Sequence, residues 1–311
     1  MKPEEEKSGT VLLVLTGATA SGKGALARRV ARRLDAEVLS MDSMKVYRGM
    51  DVGTAKPGPA ARAEVRHHLL DLVEPWEEYD AARWIADAEA ARADVEARGR
   101  RALFVGGTPL YLKSLLHGIF SGPPADLELR ATLLREAEAG GPEALHARLA
   151  KVDPASAARL HPSDLRRVVR ALEVWEKTGQ PSSTLRREWA GDPRPARIAG
   201  IRRERSDLDR RIEARVRRMM ADGLLEEVAR LRGGAALSRG AAGAAGYEEL
   251  SLHLAGERTL EEAAERTVLR TRQIARRQLN WLRSLRGVRW FDVPPGEEAE
   301  VLEEEVARFL E

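Results

Sequence analysis

A glycine-rich stretch near the amino end constrains the fold more than any other part of the sequence. Residues 11–34 read VLLVLTGATASGKGALARRVARRL, an apolar run at 11–16, a glycine-rich loop at 17–24 and a segment with helical periodicity at 25–34. The spacing G-x-x-x-x-G-K is typical of a P-loop, in which backbone N–H groups and the lysine bind phosphate oxygens at a helix amino terminus. An ordinary glycine-rich strand-to-helix turn is the alternative. The stretch predicts an α/β fold with a polyphosphate site.

The residue after the P-loop lysine departs from the usual pattern. A hydroxyl residue normally follows the lysine and binds Mg²⁺, but Gly24 stands at that place here. We therefore expect Mg²⁺ to bind mainly through phosphate oxygens and water, with a weakened contribution from the protein.

Polar residues follow two further predicted strands. Residues 36–41 (AEVLSM) lead to Asp42, and residues 101–105 (RALFV) lead to Gly106-Gly107-Thr108. In open α/β sheets ligands bind at the carboxyl ends of the strands, so Asp42 and Thr108 are expected near the phosphate loop. Asp42 has three candidate roles: it holds Mg²⁺, it accepts a proton from an attacking group, or it caps a turn.

Two features with possible functions lie between these strands. Residues 45–57 (KVYRGMDVGTAKP) form a long polar loop of the kind that often carries function. His67 and His68 suggest a metal site, but adjacent side chains diverge, which favours a structural pair.

The character of the chain changes at Gly122-Pro123-Pro124. Residues 126–185 are helical and strongly charged, which predicts a helical insertion between two parts of a P-loop core, with bounds of 1–121, 122–195 and 196–311. Within it Arg166, Arg167 and Arg170 cluster on one helix. Since like charges repel at this spacing, an anion is expected beside them, either internal (Asp164 and Glu173) or an external phosphate.

A second basic helix is predicted at residues 260–285. Val268, Ala275, Leu279 and Leu282 form its apolar line, while Arg266, Arg270, Gln273 and Arg277 lie opposite, with Arg272, Arg276 and Arg283 on the flank. A solvated outer face is the alternative, but few acids accompany the arginines in its second half. The pattern favours nucleic-acid phosphate as the partner.

Composition excludes several classes of protein. The 311 residues include no cysteine, which excludes disulfides, thiolate metal sites and a cysteine nucleophile. No apolar run approaches membrane-spanning length, and the net charge is +3. We expect a cytoplasmic protein, without a membrane partner, whose arginine clusters matter more than its total charge.

Taken together, the motifs resemble those of the tRNA dimethylallyltransferases, also called isopentenyl pyrophosphate transferases. The matching segments occur in the family's order and span most of the chain: GATASGK (17–23), DSMKVYRGMDVGTAKP (42–57), HHLLD (67–71), GGTPLYLKSLL (106–116), RALEV (170–174), GYEEL (246–250) and TRQIARRQLNWLR (271–283). The resemblance implies transfer of the dimethylallyl group from dimethylallyl diphosphate to N6 of the adenosine just 3′ of the tRNA anticodon, position 37, with release of diphosphate.

The resemblance also implies roles for particular residues. Asp42 would be the general base, with Thr108 and Lys23 completing the catalytic set. The diphosphate- or nucleotide-binding residues would be Gly17, Ala18, Thr19, Ala20, Ser21, Gly22, Lys23 and Gly24, with Arg211 and Arg215 as further candidates. The tRNA-binding residues would be Asp42, Ser43, Met44, Lys45, Thr108, Arg130, Arg166, Arg167, Arg170, Arg276, Arg277, Gln278 and Arg283, and the segment 243–248 would also lie along the tRNA. The expected cofactor is Mg²⁺, the expected partner is the anticodon stem-loop, and the chain is expected to be a monomer.

Two departures and two competing functions accompany this interpretation. Lys45 stands where the family often has glutamine, and Asn280 where it usually has threonine; both side chains can hydrogen-bond RNA. One competitor is a prenyl or phosphoryl transferase acting on free adenine nucleotides, which would have no use for an extended basic face. The other is an RNA-binding protein with a structural nucleotide site.

Overall fold

The chain divides into two compact units. The computed structural model describes residues 11–119, 122–188 and 193–311. One unit contains the chain up to Leu116 and from Arg194 onward, and the other is His117–Pro193. The helical insertion predicted at 122–195 thus overlaps the second unit along most of its length.

A six-stranded parallel sheet forms the centre of the first unit. Its strands are β1 (Leu12–Gly17), β2 (Ala36–Met41), β3 (His67–His68), β4 (Arg101–Gly106), β5 (Ala196–Arg202) and β6 (Val288–Asp292). Their order is β3-β2-β4-β1-β5-β6, and every neighbouring pair is parallel. The predicted P-loop-like α/β class is therefore confirmed, and β6 lies at an edge as expected.

Helices connect and cover the strands. They are α1 (Lys23–Arg33), α2 (Pro59–Glu64), α3 (Ala81–Ala97), α4 (Pro109–His117), α5 (Leu127–Gly140), α6 (Pro142–Val152), α7 (Pro154–Arg159), α8 (Leu165–Thr178), α9 (Ser182–Glu188), α10 (Arg205–Ala221), α11 (Leu224–Arg232), α12 (Arg239–Ala242), α13 (Tyr247–Leu254), α14 (Leu260–Ser284) and α15 (Glu303–Leu310), with a 3₁₀ helix at Ala299–Leu302. No helix in these described ranges is long and apolar enough to cross a membrane.

Both faces of the sheet are buried. Side chains alternate along each strand, so each strand contributes apolar side chains to both faces, and helices cover them. On β1, Leu13 and Leu15 join an apolar cluster with α1 and α15. Leu12 and Val14 join a second cluster on the opposite face, with α3, α4, α11, α13 and α14. Burial of each such leucine contributes about 1.5–3 kcal/mol, so the strand that precedes the phosphate loop is firmly held.

Three neighbouring strands end at the same level. In the registers of β4 with its two neighbours, Gly106 pairs with Thr16 of β1 and with Met41 of β2. The backbones approach so closely that a Cβ on Gly106 would lie 1.9 Å from the Met41 carbonyl oxygen, which excludes any larger residue. The phosphate loop, Asp42 and Thr108 consequently leave the sheet at one edge.

The helical segments differ from the sequence predictions at their ends. The sequence predicts one helix at 207–231, but the structure has two, because Gly223 at φ 95° ends α10 and begins α11. The glycine- and alanine-rich segment 233–246, for which the sequence predicts a flexible or tightly turned conformation, contains α12. The sequence predicts an acidic terminal helix at 297–311, and the structure has a 3₁₀ turn there before α15.

The second unit consists of helices around a core of its own. Leu133, Leu149, Val168 and Leu172 are fully buried in an apolar cluster built from α5, α6 and α8. This all-helical content agrees with the absence of a strand pattern in that part of the sequence.

Candidate active site

The phosphate loop has the geometry of an anion site. Gly22, at φ 92°, precedes α1, and no side chain caps the helix, so its first N–H groups stay available for a bound anion. Ala20 also has a positive φ of 63°. The ammonium of Lys23 donates to the Ala18 carbonyl at 3.1 Å, which folds the lysine back over the loop. The predicted P-loop conformation is thus present.

Three cations lie near a single carboxylate beside the loop. Lys23, Lys45 and Arg215 are partly buried and all interact electrostatically with Asp42. Burial, followed by the charge of Lys45, lowers the pKa of Lys23 to about 7, and burial also lowers the pKa of Lys45 and of Arg215. The cluster carries excess positive charge, which a polyanion would neutralise.

Asp42 and Thr108 lie next to each other at the ends of β2 and β4. The Ser43 backbone N–H donates to the Thr108 hydroxyl at 3.1 Å. The Met44 N–H donates to Oδ1 of Asp42 at 2.9 Å, so the carboxylate shapes its own turn. This contact does not exclude a proton-accepting role, because a carboxylate has two oxygens.

The long loop after Asp42 is held by buried charges from two parts of the chain. Lys56 donates to the Tyr47 carbonyl at 2.6 Å and to the carboxylates of Asp51 and Asp71 at 2.7 Å each. The carboxylate of Glu227, on α11, accepts three backbone N–H groups of residues 51–53. The loop that contains Lys45 is therefore ordered before any substrate binds.

Two arginines hold the carbonyl side of the phosphate loop. Arg203, buried, donates from Nε to the Ser21 carbonyl at 2.9 Å, and Arg211 donates from Nε to the Ala20 carbonyl at 3.2 Å. Arg211 also makes a bidentate pair with Glu298 at 2.7 and 2.8 Å. Of the two arginines expected to reach diphosphate, Arg215 lies in the cation cluster, whereas Arg211 supports the loop.

The polar residues of the basic helix α14 have different surroundings: some arginines are exposed, others pair with glutamates, and one glutamine contacts the phosphate loop. Arg276, Arg277 and Arg283 are exposed, and none has an ion pair within the described residues. Arg270 instead pairs with Glu248 and Glu249, and Arg272 pairs with Glu213. Gln278 points to the phosphate loop, where its Oε1 accepts the Thr19 N–H at 2.8 Å. The arginines of this helix thus include both free and paired charges.

Most arginines of the insertion have internal partners. Glu173 is fully buried and accepts from both Arg130 and Arg170. Arg167 pairs with Asp164 at 3.2 Å, while Arg166 is exposed. The internal anions considered from the sequence are therefore present.

The two histidines point to separate partners. His67 Nδ1 contacts the Val65 carbonyl at 2.7 Å, and His68 Nε2 contacts Glu37 at 2.6 Å. Across the described parts of the chain, no three His, Asp or Glu side chains form a cluster that could hold a metal ion. The donor set beside the loop, one carboxylate among three cations, is unsuited to a bare divalent cation and fits Mg²⁺ only in the company of bound phosphate.

Sequence reasoning missed Glu227 and Arg203. Their partners are mostly main-chain groups far away in sequence, and such groups leave no side-chain pattern to detect. One signal was available for Glu227: it lies on the apolar side of α11, beside Val228 and Leu231.

Comparisons with known proteins agree with this geometry. The sequence model of the family described as IPP transferase matches residues 45–285. A tRNA dimethylallyltransferase of Anaeromyxobacter dehalogenans is 50% identical over 291 residues, which cover 93% of this chain and 97% of the relative. One from Geobacter sulfurreducens is 46% identical over 290 residues, covering 92% and 93%.

Solved structures agree as well. The tRNA isopentenylpyrophosphate transferase of Bacillus halodurans has a TM-score of 0.69 and 36% identity, and the match covers 97% of both chains. A eukaryotic dimethylallyltransferase described as acting on tRNA has a TM-score of 0.77 and 28% identity, covering 91% of this chain and 74% of that one. The chain belongs to the IPP transferase family.

Proposed function

We propose that this protein is a tRNA dimethylallyltransferase that acts on N6 of the adenosine at position 37, next to the anticodon. The observation that carries the proposal is the cation cluster of Lys23, Lys45 and Arg215 around Asp42, at the mouth of a phosphate loop. This arrangement suits a reaction in which diphosphate leaves while a neutral amine loses a proton. The names of the relatives supply the substrates.

The proposed reaction is a substitution at the allylic carbon of dimethylallyl diphosphate. The N6 nitrogen forms a bond to that carbon, the carbon–oxygen bond breaks, and its electron pair leaves with diphosphate. Asp42 accepts the proton from N6. The phosphate-loop N–H groups together with Lys23, Lys45 and Arg215 stabilise the negative charge that develops on the leaving group.

Thr108 positions the reacting groups in this proposal. Its hydroxyl already accepts from the Ser43 N–H, which leaves its own O–H free to donate. Since N6 belongs to a base that is normally stacked, the nucleotide has to be flipped toward Asp42, at a small cost in an unpaired anticodon loop.

The RNA is proposed to bind along α14. Arg276, Arg277 and Arg283 are its exposed cations, and a groove beside the helix is lined by Arg258, Arg266 and Arg277 together with the exposed Leu269. Further contacts from Asp42 to Lys45, and from Arg130, Arg166, Arg167 and Arg170 of the insertion, remain part of the proposal. We also propose that the protein is cytoplasmic, because its acceptor is tRNA in that compartment. We propose that it is a monomer.

The test is transfer of label from dimethylallyl diphosphate to an unmodified anticodon stem-loop, with AMP and ADP as parallel acceptors. Wild type is compared with Asp42→Asn, which keeps the shape of the side chain, and with the matched control Asp222→Asn at an exposed helix end. We expect label in RNA alone, a loss of at least about 100-fold in kcat for Asp42→Asn, and none for Asp222→Asn. Label in free nucleotides would indicate the alternative transferase instead. RNA binding with no transfer to any acceptor would indicate a binding protein.

The contribution of Mg²⁺ is testable at Gly24. A Cβ at this exposed position would meet no atom within 4 Å, so threonine fits there without strain. Diphosphate and water would hold Mg²⁺ beside Asp42, where the ion would supply positive charge to the leaving group. Gly24→Thr restores a hydroxyl beside Lys23, so we expect pyrophosphate binding in calorimetry to need several-fold less Mg²⁺. Gly24→Ala is the control, and an unchanged Mg²⁺ requirement in Gly24→Thr would contradict this role.

A further inference from the structure

Gln278 differs from the arginines around it on α14. It is half-buried, and its Oε1 accepts the backbone N–H of Thr19 at 2.8 Å, across 259 positions of sequence. The neighbouring Arg276 and Arg277 are exposed. The side chain therefore faces the phosphate loop and not the surface expected to contact RNA.

The amide end of Gln278 fills a space shaped for it. A Cβ on Gly107 would lie 2.8 Å from Nε2 and 3.3 Å from Cδ of Gln278. It would also lie 2.7 Å from the Gly17 carbonyl oxygen. Only glycine at position 107 leaves room for the glutamine beside the loop. Gln278 thus lies against both the phosphate loop and the turn that leads to Thr108.

The other supports of the loop act on its carbonyl groups. Lys23, Arg203 and Arg211 donate to the carbonyl oxygens of Ala18, Ser21 and Ala20. Within the parts of the chain that the structure describes, Gln278 is the one side chain that accepts from an N–H group of the loop.

This contact acts where the backbone is under strain. Ala20, the residue after Thr19, has a φ of 63°, a conformation that costs a non-glycine residue about 1–3 kcal/mol unless its surroundings impose it. Fixing the Ala18–Thr19 peptide, one residue before Ala20, opposes relaxation of the loop. A relaxed loop would no longer direct its N–H groups at one point.

We infer that Gln278 is a positioning residue for the phosphate loop: by holding the Thr19 peptide, it sets the loop for diphosphate instead of binding RNA itself. The inference rests on the proposed function for the identity of the ligand. It concerns how the diphosphate site is built and needs no RNA to be tested.

The test uses Gln278→Met, which keeps the length of the side chain but removes the acceptor. Gln273→Met is the matched control, since Gln273 is exposed on the same helix. Calorimetry with inorganic pyrophosphate should show affinity about three- to tenfold weaker for Gln278→Met, as expected for the loss of one hydrogen bond, and unchanged for the control. Hydrogen exchange should show loss of protection at the Thr19 amide in Gln278→Met only.

A second measurement separates positioning from RNA binding. The Kd of Gln278→Met for an anticodon stem-loop should stay within about twofold of wild type, while the KM for dimethylallyl diphosphate rises. Unchanged pyrophosphate affinity, or a loss confined to RNA affinity, would overturn the inference. If Gln278→Met does not fold, Gln278→Asn, which is one methylene too short to reach Thr19, replaces it. This variant is also expected to bind pyrophosphate more weakly while its affinity for the stem-loop stays unchanged.

This test can fail independently of the proposed function. If wild type binds pyrophosphate but prenylates no acceptor, the proposed reaction fails while the Gln278 result stands on pyrophosphate affinity alone.

Discussion

Removal of the negative charge of Glu227 should loosen the loop that follows Asp42. Its carboxylate is buried and accepts the N–H groups of Asp51 and Val52 at 2.8 Å each, that of Gly53 at 3.1 Å, and the Tyr247 hydroxyl at 2.6 Å. Four donors thus share two oxygens. The matched substitution is Glu227→Gln, which keeps the shape but replaces one acceptor oxygen with an NH₂ donor.

The magnitude follows from the number of donors left without an acceptor. The amide can turn its NH₂ toward Gly53 and Tyr247, where the Tyr247 hydroxyl can accept from it, so that one buried backbone N–H is left without an acceptor at a cost of about 1–3 kcal/mol. We therefore expect Glu227→Gln to lower the free energy of unfolding by roughly 1–3 kcal/mol. That is a large part of the stability of an ordinary domain, about 5–15 kcal/mol.

The assay is urea denaturation, with Glu226→Gln as the matched control. Glu226 is the preceding residue on α11, but it is exposed, so its substitution should change stability by no more than about 0.5 kcal/mol. Hydrogen exchange should localise the effect to the amides of residues 51–53. Tyr247→Phe combined with Glu227→Gln should destabilise less than the sum of the two single changes, because the two residues share one hydrogen bond.

The reasoning would be refuted if Glu227→Gln were no more destabilising than Glu226→Gln. It would also be refuted if all the amides of residues 51–53 kept their protection, since at least one of these N–H groups loses its acceptor.

Three other measurements test the electrostatics. Because the pKa of Lys23 is lowered to about 7, wild type should take up a proton when it binds pyrophosphate at pH 8, as calorimetry in two buffers would show, whereas Lys23→Arg should take up less. The hydrogen bond from Arg98 lowers the pKa of Glu37 to about 2, so the stability it confers is present above about pH 5 and lost as pH falls toward 2. Between about pH 5 and pH 2, the free energy of unfolding of Arg98→Ala should fall by less than that of wild type. An equal fall in both proteins would contradict the assignment of the low pKa to Arg98. Arg277→Gln should reduce the salt dependence of stem-loop binding by about one unit of slope, whereas Arg92→Gln on α3, whose charge is paired with Glu89 and Glu96, should leave the slope unchanged.

The sheet was predictable from the sequence because its strands are short apolar runs bounded by glycine, aspartate and charged residues. Strand β2 has the predicted bounds, and the order of motifs located the sheet edge at which Asp42 and Thr108 emerge. The break between α10 and α11 was missed because a glycine inside a helical pattern is compatible with a continuous helix.

The site was only partly predictable, for a different reason. Lys23 and Asp42 lie in motifs, but their surroundings depend on residues that are distant in sequence. Arg215 joins the cluster from α10, and Glu227 acts on backbone N–H groups, which every residue possesses. Helical spacing placed Gln278 beside exposed arginines but could not show that its side chain points to the loop.

The position of β1 in the sheet has a consequence for synthesis of the chain. This strand is made first, yet one of its two partners, β5, follows about 180 residues later. The ribosome adds roughly 5–20 residues per second, so the edge of β1 that pairs with β5 stays unpaired for about ten to forty seconds. An unpaired strand edge of this kind invites association with other nascent chains. Meanwhile the His117–Pro193 unit, which has its own apolar cluster, is already complete. The strand that carries the phosphate loop is thus among the first to emerge and among the last to be fully paired.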